Sequence, residues 1–191
     1  MTMHAQIPAL IIIDMQKCMA SPAAGLRNNP GAEQNIALLL ERWRALSATV
    51  VHVRHISRSP ESLFAPGQPG VQFQDQFAPL PEAYVMEKNV PDAFINSGLE
   101  GWLRVRGISH VVIVGVSTNN SVEATARTAG NLGFATTVVA DATFAFDKTD
   151  YAGTHHSAAQ VHAMALGNLD GEYATVKHTQ ALLDQCPQPE S

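Results

Sequence analysis

Short aliphatic runs alternate along this chain with longer stretches in which apolar residues recur every third or fourth position. The first run, Ala9-Leu-Ile-Ile-Ile13, is apolar at every position, rich in β-branched side chains, and stops at Asp14. Such a run predicts a strand buried on both faces inside a parallel sheet. Residues 33–47 then place Ile36, Leu39, Leu40, Trp43 and Leu46 at helical spacing. Further strands are predicted over 49–53, 83–87, 110–115 and 135–140, with 110–115 the clearest buried one. Helices are predicted over 96–106, with Asn96 or Ser97 as N-cap and Gly107 as stop, over 119–132, closed by Gly133, and over 155–168. A weak strand at 172–176 and a short helix near 178–184 follow, and the tail from Pro187 to Ser191 is expected to fray.

Strand and helix alternating in this way predict an α/β fold, because each crossover helix must cover one face of a parallel sheet. Right-handed crossovers make it a three-layer α/β/α sandwich with a central, mainly parallel, roughly six-stranded sheet. Residues 56–82 break the alternation with five prolines, two glycines and Phe64, Phe73 and Phe77. A loop of that length in a compact domain is usually functional, and its aromatic residues favour an ordered segment packed on something.

The bulk numbers narrow the class. A chain of 191 residues fits one domain, taken here as 1–191, able to bury a core without staples. A net charge of -5 with no basic stripe argues against nucleic acid as a partner. Cys18 and Cys186 form no CxxC pair and suggest no disulfide framework, so a reducing, cytoplasmic location is expected. Met1 to Pro8 lacks the features of a signal peptide, and no apolar run is long enough to span a membrane.

Ligands of doubly wound sheets bind beyond the carboxyl ends of the strands. Three predicted strand ends carry reactive side chains. Asp14 ends the first, Lys88 the third, and Gly115-Val-Ser-Thr-Asn-Asn-Ser-Val122 follows the fourth. Taken singly, each has an ordinary explanation: a helix cap, a solvated lysine, an N-terminal serine. Their convergence on one rim of one sheet is what points to a site. The turn after the fourth strand enters a helix whose first N–H groups suit an anion or a developing oxyanion. No GxGxxG follows a strand, no GxxxxGK[ST] occurs and no GxSxG occurs, so dinucleotide, P-loop and esterase-elbow chemistries are not indicated.

On these motifs the chain resembles the isochorismatase-like (cysteine) hydrolase superfamily over roughly residues 8 to 183. The landmarks are the aliphatic strand ending in Asp14-Met-Gln16, then Glu87-Lys88, then Val112-Ile-Val-Gly115 followed by Ser121-Val-Glu-Ala-Thr-Ala126. Members include N-carbamoylsarcosine amidases, nicotinamidases and isochorismatases. The resemblance implies the sandwich fold, a small-molecule substrate and a homo-oligomer, with no cofactor, nucleic acid or membrane. In the amidase branches the triad is Asp, Lys and Cys, which carries over to Asp14 and Lys88 and places Ser121 at the cysteine. The serine is either natural or a replacement. A thiol near a Lys⁺ and a helix N-terminus reacts as thiolate, whereas an alcohol needs a general base at the moment of attack. Isochorismatases need no such nucleophile; there the aspartate protonates a vinyl carbon and the lysine helps hold the anionic substrate.

The family also tends to carry a cis peptide before this turn, by position Val116–Ser117. Val116, Ser117, Asn120, Gln16, Phe64, Gln72 and Phe73 are expected to bind substrate or oxyanion. Arg54, Arg58 and His55 are candidates to meet a substrate carboxylate, and Phe144 and Phe146 are further wall candidates. Nicotinamidases hold a metal with an Asp and two His after the second strand. Residues 50–72 contain no Asp-x-His, so no metal is expected, and His162 is expected to pack or bond locally. Three functions remain open: hydrolysis of a small amide or carbamoyl compound with Ser121 or water attacking, vinyl-ether hydrolysis without a covalent nucleophile, and a catalytically impaired ligand-binding member.

Overall fold

A computed structural model describes residues 7–187. In chain order its strands are β1 (Ala9–Ile13), β2 (Val50–His55), β3 (Tyr84–Lys88), β4 (His110–Val116), β5 (Ala135–Phe144), β6 (Lys148–Thr149), β7 (His155–His156) and β8 (Thr175–Lys177). The helices are α1 (Ala32–Ala45), α2 (Leu99–Val105), α3 (Glu123–Asn131), α4 (Ala158–Leu169) and α5 (Thr179–Gln185). Six strands form one sheet in the order β3-β2-β1-β4-β5-β8, every pair parallel, while β6 and β7 make a separate antiparallel hairpin. The chain winds from β1 outward to β3, then returns to β4 on the other side of β1. The sheet therefore has its switch point between β1 and β4, where a crevice opens above the strand ends.

The all-aliphatic β1 lies at the centre because both its faces are covered. Ala9, Ile11 and Ile13 pack with Leu99 and Leu103 of α2 and with Ala126 and Ala129 of α3. Leu10 and Ile12 pack on the opposite face with Ile36, Leu39, Leu40 and Trp43 of α1 and Leu182 of α5. Each fully buried aliphatic side chain contributes about 1.5–3 kcal/mol, so a strand apolar at every position is the expected tenant of this slot. The Trp43 indole is satisfied by donating to the Pro8 carbonyl at 2.7 Å. No helix among the described residues is long and apolar enough to cross a membrane.

At Gly115 the backbone takes φ +117°, and a Cβ there would lie 2.1 Å from the Ile13 carbonyl oxygen. Only glycine lets β4 approach β1 this closely just before the polar turn.

Two predicted boundaries shift for reasons visible in the packing. β5 does not end at Ala140 but continues to Phe144 through an irregularity, its register against β4 changing between Ile113 and Gly115. The irregular stretch is held by distant side chains: Asn29 donates to the carbonyls of Ala140 and Thr143, and Asn35 to that of Asp141. The helix expected from 155 begins at Ala158, because His155 and His156 pair with β6 in the hairpin. A capping box starts the helix, with the Ser157 side chain accepting from Gln160 N and Gln160 reaching back to Ser157 N. The 56–82 loop is ordered by short 3-10 turns and pinned by the fully buried Phe77.

Candidate active site

Each of the first five strands of the sheet delivers a residue to the crevice. Asp14 follows β1 directly, in a left-handed conformation with φ 52°. His55 and Lys88 are the last residues of β2 and β3 and are register partners. Ser121 follows β4 in a π-helical turn, Thr118–Val122, that runs straight into α3. Phe146 follows β5.

Lys88 reaches inward from the edge strand, its side chain without solvent exposure. The ammonium donates to Asp14 Oδ2 at 2.7 Å and to Ser121 Oγ at 3.2 Å. The second carboxylate oxygen, Asp14 Oδ1, is buried and has no hydrogen-bond partner. Burial pushes the Asp14 carboxyl above its ordinary value of 3.8, against the smaller opposing pull of Lys88 and the nearby Ser121 hydroxyl. A carboxylate held in this way suits proton transfer nearer neutrality than a solvated aspartate does.

Two buried networks hold the parts in place. Gln16 forks between segments: its Nε2 donates to the carbonyls of His55 and Val71, and its Oε1 accepts from His55 N. The turn bearing Ser121 is tied to α4, where His162 Nδ1 and Thr118 Oγ1 lie 2.8 Å apart. His162 Nε2 lies 3.4 Å from Asn29 Nδ2, and burial lowers the His162 pKa below the ordinary 6.5, which favours the neutral ring. His162 thus packs and hydrogen-bonds to its neighbours in the fold, through partners distant in sequence.

A cavity of about 180 Å³ opens onto Asp14 and Ser121. Of the residues expected to bind substrate, Phe64, Val116, Ser117 and Asn120 line it. Gln16, Gln72 and Phe73 do not. Gln16 is consumed by its backbone bonds, exposed Gln72 accepts from Lys17, and Phe73 packs edge-on against His52 outside the cavity. His55 and Phe146 line the cavity, whereas Phe144 is fully buried core. Arg54 turns to Glu87, its Nε 2.9 Å from the carboxylate, and Arg58 lines a neighbouring groove. Sequence reasoning missed Met19 and Pro91 as wall residues. Both lie within five residues of a strand end that carries a reactive group, and that proximity was the available signal.

The Val116–Ser117 peptide is cis, as the resemblance implied. Among the described residues no group of three or more His, Cys, Asp or Glu side chains is arranged to hold a metal ion.

The isochorismatase domain model matches residues 8–176. The Bacillus subtilis isochorismatase family protein YrdC is 40% identical over 176 residues, covering 92% of this chain and 94% of that protein. The ureidoacrylate amidohydrolase RutB of Caulobacter vibrioides is 31% identical over 170 residues, covering 71% of this chain and 76% of that protein. A crystal structure from Chromobacterium violaceum, described as a hydrolase of the isochorismatase family, superposes with a TM-score of 0.92 at 47% identity, covering 96% of this chain and 95% of that one. A match across nearly the whole sandwich, joined to hydrolytic relatives, makes this chain a member of the isochorismatase family and a hydrolase of small molecules.

Proposed function

We propose that this hydrolase cleaves a small amide or carbamoyl compound, with Ser121 as nucleophile, Asp14 as general base and Lys88 as the fixed cation between them. The observation that carries the proposal is the single ammonium bonded to both other groups, at 2.7 Å and 3.2 Å, beneath a small cavity. Ser121 Oγ attacks the substrate carbonyl while its proton passes to the Asp14 carboxylate. Lys88 stabilises the alkoxide character that develops on Oγ. The tetrahedral intermediate collapses, the leaving nitrogen takes the proton from Asp14, and an acyl-serine remains. Water then attacks that ester while its proton passes to Asp14, and on collapse Asp14 returns that proton to the leaving Ser121 Oγ, releasing the acid and restoring the serine hydroxyl. Val116, Ser117 and Asn120 border the space where the oxyanion forms. The amidohydrolase relative lends the reaction class. The chain acts as one domain, without cofactor or metal, as a cytoplasmic homo-oligomer.

One observation favours a second route. A carboxyl group with a raised pKa can also serve as the acid that protonates a vinyl ether, which needs no nucleophile at Ser121. Replacing Ser121 by alanine separates the two. On a panel of small amides the variant loses two orders of magnitude or more in kcat, roughly what loss of a nucleophile removes. Rapid pyruvate release from isochorismate by both wild type and Ser121→Ala would instead establish the vinyl-ether route.

A further inference from the structure

The cavity wall contains one carboxylate, Asp14, and one imidazole, His55, but no lysine or arginine. The nearest ammonium, Lys88, is shielded from solvent and engaged by Asp14 and Ser121. Arg54, on the same strand as His55, is bonded to Glu87 and stacked toward Phe73. A substrate carboxylate entering here would lose its hydration beside Asp14 and gain no exposed counter-charge, an unfavourable exchange. Met19, Phe64, Pro91, Val116 and Phe146 supply the apolar walls, and Ser117, Asn120 and Ser121 add polar but uncharged groups.

His55 is the polar group on this wall that the proposed reaction leaves unused. Its backbone is clamped by the Gln16 fork, and its ring meets Phe64 edge-on, with centroids 5.2 Å apart. Burial, and then Lys88, lower the His55 pKa below 6.5, so the ring is neutral near pH 7. A neutral imidazole carries one N–H and one lone-pair nitrogen, and this ring lines the cavity.

We propose that His55 is the specificity-determining residue of this site, the lone-pair nitrogen of its ring accepting an N–H from the substrate, so that the cavity selects a compact uncharged amide over the corresponding carboxylate. The inference rests on the reading of the Asp14–Lys88–Ser121 crevice as the active site, but not on which atom attacks.

The test is a binding measurement on Ser121→Ala protein, so that turnover does not enter. Isobutyramide and isobutyrate, nearly equal in size, are titrated at pH 7.5 by calorimetry, and the His55 ring nitrogens are followed by NMR. Isobutyramide is expected to bind about tenfold or more tighter than isobutyrate, shifting one ring-nitrogen resonance. Adding His55→Phe, which keeps an aromatic ring without the acceptor, should weaken amide binding about tenfold, and His55→Gln, which restores an acceptor oxygen, should recover part of it. Equal affinity for the two ligands, undiminished amide binding in the His55→Phe protein, or no amide binding at all would overturn the proposal. Persistent amide turnover by Ser121→Ala would refute the nucleophile assignment and leave these affinities as they are.

Discussion

Replacing Lys88 by methionine strands a carboxylate in the interior. In the wild-type protein the Asp14–Lys88 pair is closed at 2.7 Å, with side-chain exposures of 5% and 0%. Removing one partner of such a pair typically costs about 3–5 kcal/mol, because the remaining charge has neither water nor counter-ion. For a chain of this size that corresponds to a fall in Tm of roughly 6–20 °C. The loss should depend on pH in a defined direction. The Asp14 pKa is already raised in the folded state by burial, so its contribution to stability is fully present below the unfolded value and declines as pH rises through the folded value. Without Lys88 the folded pKa climbs further and the decline extends toward neutrality. The gap between wild type and Lys88→Met, measured by urea unfolding, should therefore be wider at pH 8 than at pH 5. The double variant Asp14→Asn, Lys88→Met has no stranded charge and should be more stable than Lys88→Met alone. A single variant as stable as wild type at pH 8, or a double variant no better than the single, would refute the reasoning.

Gly115→Ala should lose about 3 kcal/mol or more, since its Cβ would overlap the Ile13 carbonyl at 2.1 Å and the φ of +117° is itself disfavoured for alanine; chemical denaturation against a Gly133→Ala control, where no neighbour lies within 4 Å, separates overlap from backbone strain. His52 is buried with both ring nitrogens unpartnered, and burial lowers its pKa from 6.5 to about 4. Stability from the neutral ring is present above pH 6.5 and lost as pH falls toward 4, a difference on the order of 3 kcal/mol, so His52→Leu should flatten the acid limb of the stability curve; an unchanged slope between pH 7 and 4.5 would show that His52 is not responsible.

Much of this architecture was legible in the chain because its signals are local. A strand with no polar position, Ala9–Ile13, has only one tolerable location, the centre of a sheet covered on both faces. The alternation of such runs with helical periodicity dictated a parallel sheet and right-handed crossovers, and the rule that ligands bind above strand ends picked out Asp14, Lys88 and the turn holding Ser121. What the local pattern missed was held by partners far along the chain. The run of β5 past Ala140 depends on Asn29, more than a hundred positions away, and the hairpin pairing that takes His155 and His156 out of the helix leaves no periodic trace in two-residue strands.

The same division runs through the site. Residue type and strand-end position singled out Asp14, Lys88, Ser121 and, by adjacency, Val116, Ser117 and Asn120. Sequence alone did not separate Gln16, which spends its amide on His55 and Val71, from Phe64, which faces the cavity, because both are reasonable pocket residues by type. Nor did it indicate that Lys88 would cross the end of β2 to bond two groups at once, that Asp14 would keep one oxygen unpartnered, or that the cavity would carry no exposed cation. Periodicity determines which face a side chain takes, since it follows from backbone geometry within a few residues. Where that side chain's polar atoms end up is decided by hydrogen bonds and burial between strand ends that only the folded sheet brings together.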